Sequence, residues 1–168
     1  MNKITSHPSR SAADRDFIVR DARAEDAAAL AAIERAAFDP AHYGNMLLTK
    51  RSFAGHIEGG RNAVPVAVAA DGTVFGYALG FVKKGSPYVR FASLAVLPAY
   101  EGRGAGTALL DAVEDFARRR QLKGVRLEVR EDNQRLLDRY GRRGYEVFTR
   151  VPDYYQDGAA AVRLARLV

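Results

Sequence analysis

The stretch "SLAVLPAYEGRGAGTALLDAVE", residues 93–114, constrains the chain more than any other. An apolar run meets Pro98, then Gly102, Gly104 and Gly106 alternate, and helical spacing begins. Glycine at a helix start costs up to about 1 kcal/mol per residue relative to alanine. A chain that keeps three such residues between strand and helix exposes backbone amides to a close ligand. The successive N–H groups of Arg103, Gly104, Ala105, Gly106 and Thr107, with the positive end of the helix dipole, form a cradle for a diphosphate. Arg103 adds a mobile charge.

Two familiar phosphate loops do not fit. The nucleoside-triphosphate loop needs Gly-Lys-Ser/Thr, and here Thr107 follows Gly106 directly. A dinucleotide fold would use Glu128 on a ribose, but the glycines run G-x-G-x-G. Only about forty residues follow Glu128, too few for further crossovers. A glycine-rich turn with no ligand is the bland alternative.

Around this segment, strand and helix signals alternate. "DFIVRDA" reads as a strand, and "RAEDAAALAAIERAAF" as a helix with Leu30, Ile33 and Ala37 on one face. Thr49 caps "KRSFAGHIE", which stops at Gly59-Gly60. "AVPVAVAA" and "TVFGYALGFVKK" flank Asp71-Gly72, a hairpin signal, and "VRFASLAVL" follows. The helix near 105–120 buries Leu109, Val113 and Phe116, with Glu114–Arg118 and Asp115–Arg119 expected as solvated i,i+4 pairs. Gly124 is expected to break that helix before the strand "VRLEV". A helix near 133–141 and two strands, "YEVFTRV" and "AAVRLARLV", close the chain. Hairpins followed by a strand–helix–strand crossover predict an α/β (α+β) fold with a mixed, mostly antiparallel sheet and flanking helices.

Nothing repeats and no linker interrupts the pattern. The reading is one domain over 16–168, behind a polar, flexible leader over 1–15 that lacks the apolar core of a signal peptide. The net charge of +6 suggests an anionic partner. With no cysteine there is no disulfide, thiolate site or cysteine nucleophile, and the three histidines lack ligand-like spacing, so no metal is expected. No apolar run approaches the roughly 20 residues of a membrane span. On these features a cytoplasmic protein is expected. Arg118–Arg120 and Arg142-Arg143 read as solvated helix faces, with no direct nucleic-acid binding expected.

"SLAVLPAYEGRGAGTALL" resembles the acetyl-CoA-binding motif of the GCN5-related N-acetyltransferases (GNAT), Gln/Arg-x-x-Gly-x-Gly/Ala, with Glu101 departing from it at the first position. The resemblance extends from "FIVRDA" to the last strand. It implies a GNAT fold whose central strands, "SLAVL" and "VRLEV", splay apart to admit the pantetheine arm. A backbone amide among Leu94, Ala95 and Val96 would then polarise the thioester carbonyl. The last third is similar to the subgroup that acetylates protein α-amino groups, including the ribosomal-protein-alanine acetyltransferases. Asn133, Tyr140 and Gly144-Tyr145 match its pattern, whereas Arg139 replaces a usual leucine.

The resemblance implies acetyl-CoA as co-substrate, no metal, and a monomer or homodimer. In that subgroup the positions of Glu128 and Tyr140 carry the base and the acid. A glutamate can take the amine proton, directly or through water, and a phenol with pKa near ~10 can protonate a leaving thiolate of ~8.5. Asn133 caps its helix, contacts the cofactor, or both. Tyr154 and Tyr155, with Tyr43 opposite, would grip the backbone beside a peptide's first residue. An α-amine (~7.7–8.0) is easier to deprotonate than a lysine (~10.4), which favours a protein or peptide N-terminus, a ribosomal protein among the candidates. The alternatives are a lysine or small-molecule amine acceptor, and a non-catalytic acyl-CoA sensor.

Overall fold

The structure, a computed structural model, describes residues 15–38 and 47–168. The N-terminal strand β1 (Phe17–Asp21) leads to α1 (Ala27–Ala37) and α2 (Lys50–Glu58). Then come β2 (Pro65–Ala69), β3 (Val74–Phe81) and β4 (Tyr88–Val96), followed by α3 (Ala105–Arg119) and β5 (Gly124–Arg130). Finally α4 (Gln134–Arg142) precedes β6 (Glu146–Val151) and β7 (Ala161–Leu167). The seven strands form one sheet in the order β1-β2-β3-β4-β5-β7-β6, antiparallel throughout except for the β4–β5 pair. The helix α3 supplies the crossover that this parallel pair requires, whereas β1 and β2, also linked through helices, run antiparallel.

Local signals act where they stand. The Thr49 side chain accepts from Ser52 N–H, and Asn133 Oδ1 accepts from Leu136 N–H at 3.1 Å, so both caps form. Asp71 Oδ1 accepts from Thr73 N–H at 2.9 Å, and Gly72 turns the β2–β3 hairpin with φ +88°. Leu109, Val113 and Phe116 of α3 pack on one sheet face with Val89, Phe91, Val125, Leu127 and Val129. On the other face Leu30, Ile33 and Phe53 cover Val66, Tyr77 and Leu79. Each such side chain contributes about 1.5–3 kcal/mol on burial. Ala37 is exposed at the helix end. Among the described residues no helix is long and apolar enough to cross a membrane.

The polar side of α3 differs from expectation. Glu114 is buried, accepting from Tyr145 Oη (2.9 Å), Arg143 Nη2 (3.2 Å) and Arg166 Nη1 (2.7 Å). Asp115 pairs with Arg118, three residues on, rather than with Arg119. Arg143 is correspondingly half-buried, held by Asp111 and Glu114, and not part of a solvated face. Nor does Gly124 end the helix. Gln121 takes the left-handed position (φ 55°), and Gly124 opens β5, where a Cβ would lie 2.0 Å from the Arg166 carbonyl oxygen on β7.

Candidate active site

The parallel β4–β5 ladder runs only from Tyr88↔Gly124 to Arg90↔Arg126. Beyond it the strands separate, although each keeps its other neighbour, β3 or β7. An extra residue, Ala92, bulges from β4 at this point: Leu79 faces Ser93 while Gly80 faces Phe91. By the alternation of strand hydrogen bonding, half of the polar backbone groups of Phe91–Val96 are left facing the gap. These are donors and acceptors for an extended amide-containing arm.

At one end of the gap lies a cleft of about 690 Å³ lined by Leu94, Ala95, Val96 and the glycine loop. Gly102 (φ +75°) and Gly104 (φ +85°) need the left-handed region, and a Cβ on either would meet nothing within 4 Å. Their glycines therefore serve backbone shape and leave the space above the loop clear. Among the described residues, the N–H groups of Gly102 through Thr107 have no acceptor. Six unpaired donors around a helix N-terminus fit a diphosphate. Arg135 and Arg139 of α4 line the same cleft and make no ion pair with a described residue. Glu101 lines it too. Arg103 does not: it turns away to Asp16 (2.9 Å) and lies over the Tyr100 ring.

The opposite face of the sheet carries a second cleft of about 750 Å³, with Glu128 in its wall. Glu128 Oε2 accepts from Arg90 Nη2 (2.5 Å), and Oε1 accepts from Arg163 Nε (3.0 Å). Tyr154 Oη donates to Oε2 at 3.3 Å. Burial works to raise the pKa of this carboxyl, but the bonds and charges of Arg90 and Arg163 prevail and hold it below the ordinary carboxylate value. Its partners are thus Arg90 and Arg163, from the two neighbouring strands. Arg130 binds Asp132 and Asp157.

Tyr140 packs on the α3 face, its ring 5.5 Å from that of Tyr145. Its hydroxyl bonds to no described residue, and burial raises its pKa despite nearby Arg139 and Arg143. Leu127 and Val129 point to this face, so Glu128 between them points to the other. Glu128 and Tyr140 can therefore cooperate only across the opening between β4 and β5.

The remaining candidates divide. Tyr155 stacks edge-on against Tyr154 and under Arg130, outside the cleft wall. The Asn133 side chain is engaged in its cap, and Tyr43 lies outside the described residues. Sequence reasoning missed Arg90 and Arg163. The available signal was period two: both stand at strand positions alternating with core residues. It also missed buried Glu34, which accepts from Leu48 N–H (3.1 Å) and from the Tyr77 hydroxyl, itself 3.0 Å from Ser93 Oγ beside the bulge.

The model of the acetyltransferase (GNAT) family matches residues 29–145. An uncharacterized N-acetyltransferase of Methanocaldococcus jannaschii is 33% identical over 151 residues, covering 89% of this chain and 91% of its own. The Escherichia coli ribosomal-protein-S18-alanine N-acetyltransferase superposes with a TM-score of 0.73 at 24% identity, over 90% of this chain and 94% of that one. A Salmonella typhimurium protein described as a putative acetyltransferase, solved with acetyl-CoA, gives 0.72 at 21% identity, over 91% and 94%. The interrupted ladder, the open glycine loop and the family match agree: this chain belongs to the GNAT family and is an acetyl-CoA-dependent N-acetyltransferase.

Proposed function

We propose that the chain acetylates the α-amino group of a protein or peptide N-terminus by direct transfer within a ternary complex. The observation that carries this reading is an ionised carboxylate, Glu128, set in an open cleft on the sheet face opposite Tyr140, beside the strand opening. The Escherichia coli structure of similar fold is named for a ribosomal-protein alanine, which supports an exposed N-terminus, such as that of a ribosomal protein, as acceptor.

Acetyl-CoA supplies the activated thioester. The glycine-loop amides and Arg139 hold its anionic part, and backbone groups of Leu94–Val96 orient the arm. No cysteine exists to carry the acyl group, so the amine attacks directly. Proton energetics decide the role of Glu128. Direct transfer from an α-ammonium to a carboxyl held below 4.5 spans more than about 3 pKa units, or over about 4 kcal/mol. Releasing that proton to water at pH 7 costs only about 1 kcal/mol. The amine therefore enters neutral, and Glu128 accepts an N–H hydrogen bond that aims the nitrogen lone pair. Attack makes the nitrogen strongly acidic, so its proton then passes to Glu128, directly or through water, while Tyr140 gives its own proton to the departing sulfur; solvent returns a proton to Tyr140 and takes one from Glu128. A lysine would need about 3 kcal/mol more to become neutral, which this site does not supply.

Thiol release from acetyl-CoA, measured with peptides bearing a free Ala or Ser start and with the same peptides blocked, tests the proposal. Release only with free N-termini is expected, with mass spectrometry placing the acetyl group on the α-nitrogen. Equal release from blocked, lysine-containing peptides would refute it.

A further inference from the structure

The Glu128 cleft is lined by four cations, Lys83, Arg90, Arg126 and Arg163, against a single carboxylate. Glu128 engages Arg90 and Arg163. That leaves Arg126 and Lys83 with no ion pair to any described residue. Arg126 is held, however. Its guanidinium carbon lies 3.7 Å from the centroid of the Tyr88 ring and 4.8 Å from that of Phe148. Contact with the two rings steadies the guanidinium while its N–H fork, paired with no described carboxylate, stays available to bind a carboxylate in two-point fashion. Arg126 and Glu128 stand two positions apart on one face of β5, so their Cβ atoms lie about 6–7 Å from each other.

We propose that Arg126, steadied by Tyr88 and Phe148 and supported by Lys83, is a carboxylate subsite that selects acceptor peptides with an acidic side chain at their first or second residue. The inference rests on the N-terminal reading above. An amine held at Glu128 places a carboxylate at Arg126 when the two are separated by roughly one residue of chain, about 4 Å of backbone plus a short side chain. The surplus of positive charge also steers an acidic segment into the cleft.

The test uses peptide pairs differing only as Asp/Asn or Glu/Gln at positions one and two. Free aspartate and free alanine serve as acceptors whose only invariant carboxylate is the α-carboxylate. Calorimetric titration of the peptides in the presence of coenzyme A runs beside steady-state kinetics. The wild-type protein is expected to favour the acidic member at least tenfold in kcat/KM and in affinity, with the ratio shrinking between 0.05 and 0.5 M salt. In Arg126→Gln the ratio falls to near one. Indifference of the wild-type protein to Asp versus Asn overturns the subsite, as does a ratio retained in Arg126→Gln. The N-terminal reading fails separately if no peptide, acidic or neutral, gives heat or product while free amino acids are acetylated. Dependence of that reaction on Arg126 would assign the subsite to an α-carboxylate and overturn the side-chain assignment.

Discussion

Gly104→Asp separates the two things the glycine loop does. Gly104 is the N-cap of α3 with φ +85° and ψ 9°, and nothing lies within 4 Å of a Cβ built on it. Aspartate tolerates this left-handed region better than most residues, and a negative charge at a helix N-terminus stabilises by about 0.3–1 kcal/mol. Residual strain and this gain offset each other, so the free protein should keep its stability within about 1 kcal/mol, or roughly 2–4 °C in Tm. For the ligand the same carboxylate stands where the diphosphate must approach. One unit charge facing another at about 5 Å repels by about 3 kcal/mol at an effective dielectric of 20. The cleft is open to solvent, so the effect lies between half that figure and the whole, a coenzyme A affinity lowered about tenfold to two-hundredfold. Calorimetry with coenzyme A and with pantetheine, which lacks the diphosphate, reads this out: the first should weaken and the second should not change. A coenzyme A Kd within threefold of wild type, in a protein that melts normally, would show that the loop amides do not hold the diphosphate.

Tyr140→Phe should lower kcat by about 10²-fold while leaving coenzyme A affinity within threefold; a wild-type kcat would reduce this side chain to packing beside Tyr145. The pH profile of kcat/KM should climb to the acceptor's own α-amine pKa of about 7.7–8.0 and then stay level towards pH 10. Burial keeps the Tyr140 proton in place through that range, and Glu128, held below its ordinary value, is already ionised at its start. An acid limb near pH 6 that disappears in Glu128→Gln would contradict this. Glu114→Gln removes the buried carboxylate shared by Arg143 and Arg166; Arg143 keeps Asp111 and both guanidiniums reach solvent, so the cost should be about 2 kcal/mol, seen as a drop of roughly 4–8 °C in thermal unfolding. A loss below 1 kcal/mol would mean that water takes over the pairing.

Much of this architecture was legible in the chain itself because its signals are local. A cap needs only the next three residues, as Thr49 and Asn133 show, and Asp71-Gly72 turns its hairpin with groups two positions apart. The strand–glycine–helix run behaves likewise, since positive φ at Gly102 and Gly104 is a single-residue property. The helix between β4 and β5 supplies the crossover that their parallel pairing requires. Glu114 was misread for the complementary reason. Spacing along α3 pairs it with Arg118, but packing brings Arg143 and Arg166 from 29 and 52 residues away.

The sequence by itself determined the glycine loop between strand and helix, a mixed sheet around it, and the elements that carry Glu128 and Tyr140. Only the tertiary structure decided how those groups are charged and what they face. Glu128 is clamped by arginines 38 and 35 residues distant, Arg103 is drawn off to Asp16 at 87, and Arg126 lies against two rings with no ion pair among the described residues. Backbone conformation depends on neighbours in the chain, whereas electrostatics depends on neighbours in space. Those exist only once the sheet has formed.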